Sequence, residues 1–478
     1  MVDDSRRKVL AGARLRKLRT ELGLSQSAMA NELGISASYL NLVERNQRPV
    51  TAQLLIRLSE NYAIDASSFA GDEDAQATAE LEEIFSDPMF QADRVPRTEI
   101  RAALDTAPTL VAAMKRLYAA YSGVLEMRSG AAPGMAGERG DVAESSAAND
   151  VVEHVRNFLQ QHNNHFPALD DAAEALSQEF AATGDGLFGA MEQRLLARHA
   201  IRVQIVPRRD LGTTLRHYDR HRRKLLISEL VEPAGRTFQL AYQLGLLEAA
   251  PEIDAVAADV HLQGAQASRF VRITLANYYA AALMMPYQRF LAAAEELSYD
   301  VEALGMRFAA SFEQVAHRLT TLARPTARGV PFFMIRVDNA GNVSKRFSSR
   351  AFPFTRFGGT CPRWNIHSTF RNPGRIEPQV IELPNGTRWF SIARTVRRVA
   401  TPWDEPDAPF SVGLGCEIKY ADRLVYAQGL NLKTAKPTEI GVNCRLCERP
   451  NCVQRSAPPL MRQLEVSENT RSMSPFGM

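Results

Sequence analysis

Capping residues and glycines divide residues 10–62 into short segments, and this spacing limits the chain there to brief helices joined by tight turns. Ser25, Ser36 and Thr51 have side chains that cap helix N-termini, and Gly34 tolerates the positive φ that a tight turn needs. Apolar residues recur at helical spacing between these points. We therefore predict four helices, at residues 11–21, 26–33, 37–45 and 52–62.

Residues 25–45 have the pattern of two helices held at a fixed angle. Leu33, Ile35 and Leu40 can pack the helices together, which leaves short polar side chains at the exposed start of the second helix. Such a helix end fits the major groove of DNA, and nearby cations suit backbone phosphates. The candidate DNA-binding residues are Arg14, Gln26, Ser36, Ala37, Ser38, Tyr39, Asn41, Arg45 and Arg48.

This segment also has a recognisable sequence. The stretch LRKLRTELGLSQSAMANELGISASYLNLVERNQRPVT resembles the Cro/CI repressor-like helix-turn-helix family over about residues 10–65. The resemblance implies a helical bundle whose third helix contacts base edges in double-stranded operator DNA. The alternative is a helical bundle without a DNA role, which the positions of the glycine, the caps and the polar face disfavour.

Length and composition describe a multidomain globular chain. The 478 residues suggest about three domains, and 23% charged with 45% hydrophobic residues excludes a mainly disordered chain. No apolar run reaches the roughly 20 residues that span a bilayer, and the N-terminus lacks the apolar core of a signal peptide. We therefore expect a cytoplasmic protein without a membrane segment. Five cysteines are too few for a disulfide scaffold.

Charge and composition place the expected domain boundaries. Residues 71–93 contain acidic residues and no Lys or Arg, which indicates a linker, and residues 128–149 are rich in Gly, Ala and Ser. The expected domains are 1–70 (helix-turn-helix), 71–149 (acidic linker, connecting helix and flexible linker), 150–300 (helical), 301–435 (mixed α/β sensor) and 436–478 (cysteine-rich segment and tail).

Periodicity predicts the elements within these domains. An amphipathic helix is expected at 98–122, and it should bury Leu104, Leu110, Met114 and Leu117. Another helix is expected at 303–322. The runs that indicate strands are 201–206, 224–227, 332–337, 389–395 and 424–426. The expected fold class is multidomain and mainly α, with an α/β C-terminal part.

Residues 237–286 resemble a metallopeptidase in which the metal-binding residues are missing. The segments TFQLAYQLGLLE and LANYYAAALMMP resemble helices of ImmA/IrrE-type peptidases, whose His-Glu-x-x-His motif binds zinc and activates water. The matching positions hold Tyr242, Gln243 and Leu246, and no carboxylate stands near Ile273 or Leu275, where a third ligand is expected. We therefore predict no enzyme, but either a retained fold used for sensing or docking, or an ordinary helical connector.

Histidines supply no clear replacement for those ligands. His154, His162 and His165 lie close together in sequence, and His217 and His221 are four residues apart. Either group could be proposed to bind a metal, but solvated or capping histidines are the more common outcome of such spacing.

The segment 341–400 is strongly basic. It holds eleven Lys and Arg residues against Glu377 and Glu382, a net charge of +9, and it is rich in aromatic residues. Arginine side chains bind phosphates through two hydrogen bonds, so nucleic acid or a phosphorylated small molecule could be the ligand. A solvated arginine surface is the alternative. The candidate ligand-binding residues are Arg346, Arg356, Arg363 and Arg375.

Three cysteines near the C-terminus have a metal-binding spacing. Cys444, Cys447 and Cys452 fall within nine residues. Cys416, Cys361 or an external group could supply a fourth ligand. Zinc prefers four protein ligands and an iron–sulfur cluster tolerates three, so spacing alone does not separate them, and unligated thiols are the remaining alternative.

The order of these segments resembles the short-chain fatty acyl-CoA regulators. The motifs are FEQVAHRLTTLARP, GVPFFMIRVDNAGNVSKR, FGGTCPRWN, LGCE and IGVNCRLCERPNCVQRSAPP. The resemblance implies a transcription regulator of short-chain fatty acid metabolism whose C-terminal half responds to an acyl-CoA, and we expect it to act as a homodimer. It also implies an iron–sulfur cluster, such as 4Fe-4S, on Cys444, Cys447 and Cys452. The alternatives are a regulator whose input is redox state and, less favoured, a metallopeptidase that cleaves a partner repressor.

Overall fold

The chain divides into two compact units. Residues 1–130 with 351–356 form the first, and residues 131–350 with 357–478 form the second. The computed structural model describes residues 12–21, 24–45, 47–48, 50–62, 72–85, 87, 90, 95–108, 110–115, 117–118, 121, 152, 154–182, 186–260, 265–348, 352–354, 360–397, 399–401, 403, 405–447, 449–450, 452–459 and 473–474.

The first unit begins with the four predicted helices, which are confirmed to within one residue. They are α1 (Gly12–Glu21), α2 (Gln26–Glu32), α3 (Ala37–Glu44) and α4 (Ala52–Tyr62). The hydroxyls of Ser25 and Ser36 accept the N–H groups of Ala28 and Tyr39 at 3.1 Å each, and that of Thr51 accepts the Leu54 N–H at 3.3 Å, so all three predicted caps form. The shared core contains Leu15, Met29, Leu33, Leu40, Val43, Leu54 and Leu58.

The acidic segment is helical, so the prediction of a linker was wrong over residues 72–85. Helix α5 (Asp72–Phe85) packs on α6 (Arg97–Thr106), and Leu81, Ile84 and Ile100 are buried between them. Basic residues elsewhere in the unit pair with the acids: Lys115 Nζ lies 2.7 Å from Glu80, and Arg97 Nε lies 2.6 Å from Glu82. Local composition showed the charges but not these distant partners.

A proline interrupts the single helix expected at 98–122. Helix α6 ends at Thr106, and Ala107 has φ −137° immediately before Pro108. Proline lacks an N–H and disfavours helical geometry in the preceding residue, so the periodic face does not continue across it. Leu110 and Leu117, which were expected to be buried, are 70% and 72% exposed, whereas Leu104 and Met114 are half-buried.

The second unit contains most of the helices and a small mixed sheet. The helices are α7 (Pro167–Ala181), α8 (Leu187–His199), α9 (Arg208–Leu211), α10 (Pro233–Glu248), α11 (Ala250–Ala258), α12 (Ala265–Met284), α13 (Tyr287–Glu296), α14 (Val301–Phe308) and α15 (Phe312–Leu319). In the sheet, β3 (Lys224–Ser228) is parallel to β1 (Arg202–Val206) and antiparallel to β2 (Arg216–Asp219). The strands expected at 201–206 and 224–227 are confirmed.

A six-stranded sheet completes the second unit. Its strands are β4 (Phe333–Val337), β5 (Val343–Ser348), β6 (Glu377–Glu382), β7 (Arg388–Val396), β8 (Phe410–Glu417) and β9 (Thr438–Glu439), in the order β5-β4-β8-β7-β6-β9. All neighbours are antiparallel except β6 and β9. One hydrophobic core joins this sheet to the helices, so the boundary expected at 300/301 falls inside a compact unit.

Two further expectations need correction. The helix predicted at 303–322 is two helices, because Ala309 adopts a left-handed φ of 49° and Ser311 caps α15 with a reciprocal capping box through Gln314. The strand predicted at 424–426 is a 3₁₀ turn, Val425–Ala427, whose short apolar run packs against the core.

The strands at 332–337 and 389–395 are confirmed, and the fold class is as expected. No described helix is long and apolar enough to cross a bilayer.

A buried ion pair connects three helices of the second unit. Arg318 of α15 and Asp170 of α7 are both fully buried, with Nη2 and Oδ1 2.7 Å apart. The other Asp170 oxygen accepts the Tyr278 hydroxyl of α12 at 2.7 Å, and Arg318 Nε donates to the Met285 carbonyl at 3.0 Å. The partners overcome the burial that would raise the pKa of Asp170 and hold it below its usual value.

We predict that Asp170→Asn destabilises the second unit by about 3–5 kcal/mol, because it leaves the Arg318 charge buried without its counter-ion. Urea unfolding followed by tryptophan fluorescence measures this directly, since all three tryptophans lie in that unit. Asp171→Asn is the matched control, because the Asp171 side chain is 71% exposed. Equal losses of stability in the two variants would contradict the role given to the ion pair.

Candidate functional site

The predicted DNA-reading side chains form the exposed start of α3. Ser36, Ala37 and Ser38 are exposed, and Tyr39 and Asn41 are half-buried beside them. Arg45 and Arg48 are exposed just beyond the helix. The Arg14 side chain lies outside the described residues. The surface therefore presents small polar groups with cations at its edge, an arrangement that suits a major groove and its flanking phosphates.

A hydrogen-bond network fixes the angle between α2 and α3. Gln26 Nε2 donates to Glu44 Oε2 at 2.7 Å and approaches Asn41 Oδ1 at 3.4 Å. Arg19 Nε donates to Glu44 Oε1 at 2.6 Å, and the Glu44 side chain is 3% exposed. Gln26, one of the candidate DNA-binding residues, is thus also positioned against α3. Sequence reasoning missed Glu44, although its apolar neighbours Val43 and Leu40 marked that helix face as buried.

The tight turn between the two helices favours glycine. Gly34 has φ +61°, and a Cβ added there would lie 2.9 Å from Arg57 Nη1. That guanidinium donates to the carbonyls of Leu33 at 2.7 Å and Gly34 at 3.0 Å. Helix α4 therefore closes the turn through Arg57, and the positive φ makes glycine the residue that adopts this conformation at least cost.

An arginine occupies the region where a peptidase of this type holds its metal. Tyr242 and Gln243 are buried on α10, Leu246 is half-buried one turn further on, Leu275 is buried and Ile273 is 44% exposed. Arg216 of β2 donates to the Gln243 side-chain oxygen, and its guanidinium lies 4.6 Å from the centre of the Tyr242 ring. Burial lowers the pKa of Arg216, with Tyr242 opposing the shift. A fixed positive charge therefore stands beside the residues that replace the metal ligands.

The histidines singled out in the sequence have other contacts. His162 Nδ1 lies 2.9 Å from the Phe158 carbonyl, and His165 Nε2 lies 3.2 Å from Asp170. Within the described ranges, no three His, Cys, Asp or Glu side chains are grouped so that they could hold a metal ion as they stand.

The second unit contains a large cavity between its helices and its six-stranded sheet. Its volume is about 1040 Å³, at the upper end of the range for small-molecule sites. One part of the lining is apolar and includes Leu159, Phe238, Phe270 and Phe312. The positively charged residues that line it are Arg156, Arg336, Lys345, Arg346, Arg394 and Arg397. The cavity thus combines an apolar wall with cations, as an amphipathic anion requires.

The cations of the cavity exceed its acids. Glu313 accepts from both Arg336 Nη1 at 2.8 Å and Lys345 Nζ at 2.7 Å, so this triad has a surplus positive charge. Burial would raise the pKa of Glu313, but the two cations hold it below its usual value. Arg397 pairs with Asp407 at 2.8 Å. The Nε atom of Arg394 is buried without a hydrogen-bond partner among the described residues.

The structure brings one of the four predicted ligand-binding arginines to this cavity. Arg346 of β5 lines it. Arg363 lies instead near the cysteines, 3.9 Å from Glu439, and Arg375 is exposed. Arg356 lies outside the described residues. Sequence reasoning missed Arg156 and Arg336, which fall outside the basic segment and show no local signal.

Four of the five cysteines line one small cavity. They are Cys361, Cys444, Cys447 and Cys452, whereas Cys416 is buried in β8. Arg455 holds the loop around them, donating to the carbonyls of Cys444 and Cys447 at 2.9 Å each. A Cβ at Gly441 would lie 2.6 Å from Cys447 Sγ, so the chain packs closely against this thiol.

Family models match three successive parts of the chain. A helix-turn-helix model matches residues 15–69, the IrrE N-terminal-like domain model matches 196–320, and the model described as "Short-chain fatty acyl coenzyme A regulator, C-terminal" matches 321–476.

Named relatives match over nearly the whole chain. The HTH-type transcriptional regulator RamB of Mycobacterium tuberculosis is 39% identical over 476 residues, covering 98% of each chain. The propionyl-CoA carboxylase regulator of Cereibacter sphaeroides is 38% identical over 471 residues, again covering 98% of each. The HTH-type transcriptional regulator PrpR of M. tuberculosis is 37% identical over 474 residues, covering 98% of this chain and 96% of its own. This chain belongs to the short-chain fatty acyl coenzyme A regulator family.

A solved structure supports the same assignment. A Mycobacterium tuberculosis transcriptional regulator is 38% identical, with a TM-score of 0.65, and the match covers 69% of this chain and 99% of that one. The resemblance inferred from the motifs is confirmed. This regulator is not an enzyme, because its relatives are transcriptional regulators and its peptidase-like domain lacks the residues that would bind zinc and activate water.

One histidine beside the cavity gives the regulator a testable pH dependence. Burial, together with nearby Lys345, lowers the pKa of His317 to about 3, and its ring lies 4.2 Å from that of Phe347. An imidazole in the unfolded chain has a pKa of ~6.5, so the unfolded state takes up this proton first as the pH falls. His317 therefore costs no stability above about pH 6.5 and reduces stability as pH falls towards 3.

We predict that, as the pH falls from about 6.5 to about 3, the free energy of unfolding decreases less for His317→Gln than for the wild type. Chemical denaturation at a series of pH values provides the comparison, and His221→Gln, at an exposed position, is the control. If the His317→Gln and wild-type stability curves run parallel across this range, the buried neutral state of His317 is contradicted.

Proposed function

We propose that the regulator binds operator DNA in a sequence-specific manner and that an acyl-CoA in its large cavity controls this binding. The single observation that carries the proposal is the cavity of about 1040 Å³, whose lining combines apolar residues with surplus positive charge. Coenzyme A carries phosphates, which arginine binds through charge-assisted hydrogen bonds, and a short acyl chain suits the phenylalanines. One relative is named a propionyl-CoA carboxylase regulator, and the model that matches the C-terminal part describes a short-chain fatty acyl coenzyme A regulator, which favours this ligand class over nucleic acid.

The cation balance explains how the cavity would recognise a phosphate. The Glu313 triad has two cations for one carboxylate, so a bound phosphate would neutralise its surplus charge rather than displace Glu313. Arg346, the next residue of β5, also lines the cavity and adds a further cation to its wall.

Control of DNA binding requires that the ligand favour one state of the regulator over another. We propose that the regulator acts as a homodimer, whose two helix-turn-helix domains would contact half-sites about 34–36 Å apart. An acyl-CoA with equal affinity for the DNA-binding and non-binding states would leave DNA affinity unchanged.

Titration with acetyl-CoA and propionyl-CoA tests the proposal, by calorimetry and by anisotropy of labelled operator DNA. We predict that Arg346→Ala weakens acyl-CoA binding by about tenfold to a hundredfold, the effect of losing a charge-assisted hydrogen bond. Arg375→Ala is the matched control, because Arg375 is exposed and does not line the cavity. Free coenzyme A and free propionate separate the contributions of the two halves of the ligand. Binding of neither acyl-CoA, or equal weakening by both substitutions, would rule out this cavity as the effector site.

A second candidate input is redox state, sensed by an iron–sulfur cluster. The four cysteines that line one cavity favour it, because thiolates are the usual ligands of such clusters, and binding would require their sulfur atoms to move together. Burial raises the pKa of the Cys361 thiol, and hydrogen bonds from the backbone N–H groups of Gly441 and Arg363 oppose this shift. A cluster there would supply oxidation-sensitive metal–thiolate bonds, whereas zinc on the same residues would be structural.

The two candidates for the fourth ligand, Cys361 and Cys416, lie in different places. We predict that Cys361→Ser lowers the iron and sulfide content of anaerobically purified protein, whereas Cys416→Ser leaves it unchanged. Cys416 lies in the core of β8 and outside the cysteine cavity. Zinc without sulfide in the wild type would favour the structural metal, and loss of iron in both variants would contradict the assignment of Cys361.

A further inference from the structure

The connection between β2 and β3 consists entirely of basic residues. Strand β2 ends at Asp219, which pairs in register with Lys224 at the start of β3. The four residues that connect them, all exposed, are Arg220, His221, Arg222 and Arg223. The exposed Arg202 stands beside this connection, because its backbone N–H donates to the Arg223 carbonyl at 2.9 Å. We call residues 219–224 together with Arg202 the basic hairpin.

The positive charges of the basic hairpin have almost no counter-charge. Among the described residues, its one ion pair is a loose contact of 3.9 Å between Arg222 Nε and Asp219, with the Arg222 side chain 79% exposed. The Asp219 carboxylate already accepts the backbone N–H groups of His221 at 3.0 Å and Arg222 at 2.9 Å, which shapes the turn. Crowded like charges repel one another and oppose folding, so this arrangement does not stabilise the unit.

Backbone geometry gives a second, independent indication. Arg223 has φ +52°, a left-handed conformation that glycine or asparagine adopts at lower cost than arginine. A bulky cation at this position is therefore unfavourable both for the turn and for the local electrostatics. Residues held in such conformations cluster at functional sites, where another interaction compensates for the strain.

We propose that the basic hairpin binds backbone phosphates of the duplex DNA that the regulator holds through its helix-turn-helix domain. The inference rests on the DNA binding proposed above and adds a second contact surface to it. Once the first unit is bound, the tethered second unit experiences a high effective concentration of the same duplex. Exposed arginines on a hairpin suit DNA phosphates, because phosphate oxygens accept hydrogen bonds from arginine side chains at any base sequence.

The test uses the full-length regulator, its own footprinted operator extended by about one helical turn at each end, and an unrelated duplex of equal length. Binding is measured by fluorescence anisotropy between about 50 and 200 mM salt. We predict that the double variant Arg220→Gln, Arg222→Gln reduces the slope of log affinity against log salt by about 0.9 for each phosphate that is no longer neutralised, or about 2 per protomer. The reduction should be equal on both duplexes, because phosphate contacts carry no sequence information.

Two further variants separate binding from folding. Arg209→Gln removes an 85% exposed arginine on a neighbouring segment and should leave the slope unchanged. Arg223→Asn relieves the left-handed position, so it should be at least as stable as the wild type in thermal melting and still lose affinity for both duplexes. A residue with a merely structural role would not lose affinity while keeping or gaining stability.

Wild-type slopes and affinities in the double variant would overturn the inference. Hairpin-dependent binding to polyglutamate, with unchanged DNA binding, would also overturn it by assigning the surface to an acidic protein. Failure of the wild type to bind any duplex would instead contradict the proposed function, so the two failures are distinguishable.

Discussion

The ion pair between Asp170 and Arg318 is the contact on which the second unit depends. It is fully buried, and it joins a helix that precedes the peptidase-like match to the last helix within that match. Tyr278, which binds Asp170, also lines the large cavity, as does Thr321, which accepts from Arg318 at 3.1 Å. Because either charge alone would be costly to bury, the pair fixes the helices that carry these cavity residues.

The peptidase-like domain shows how a catalytic fold can persist after its chemistry is lost. A zinc site would place a cation between α10 and its neighbours, and here Arg216 places a guanidinium against Tyr242 and Gln243. The positive charge is retained without a Lewis acid or an activated water. The same helix α10 lines the cavity through Phe238 and Gln239, so a scaffold of this type can support ligand binding in place of catalysis.

Local signals predicted the first helices well because their determinants are local. Ser25, Ser36 and Gly34 act on residues within one turn, and the structure shows each in the expected role. The cavity could not be predicted in this way, since Arg156 and Arg394 belong to segments more than 200 residues apart and meet only after folding. The prediction of a linker in the acidic segment failed for the same reason, because the cations that pair with Glu80 and Glu82 stand elsewhere in the sequence. Cys361 likewise joins the C-terminal cysteines only through the tertiary fold.

Two segments that line the cavity lie close in sequence to the boundaries between the two units. The helical segment at 154–161 follows the residues that lead from the first unit, and it lines the cavity through Val155, Arg156 and Leu159. Strand β5 lines the cavity and ends at Ser348, shortly before residues 351–356, which belong to the first unit. Asn164 Nδ2 donates to the Ser348 carbonyl at 2.9 Å, so these two segments are joined directly within the second unit. A ligand that fills the cavity would therefore contact both the segment at 154–161 and strand β5, and a difference in its affinity for two arrangements of these walls would be sufficient to couple ligand binding to DNA binding.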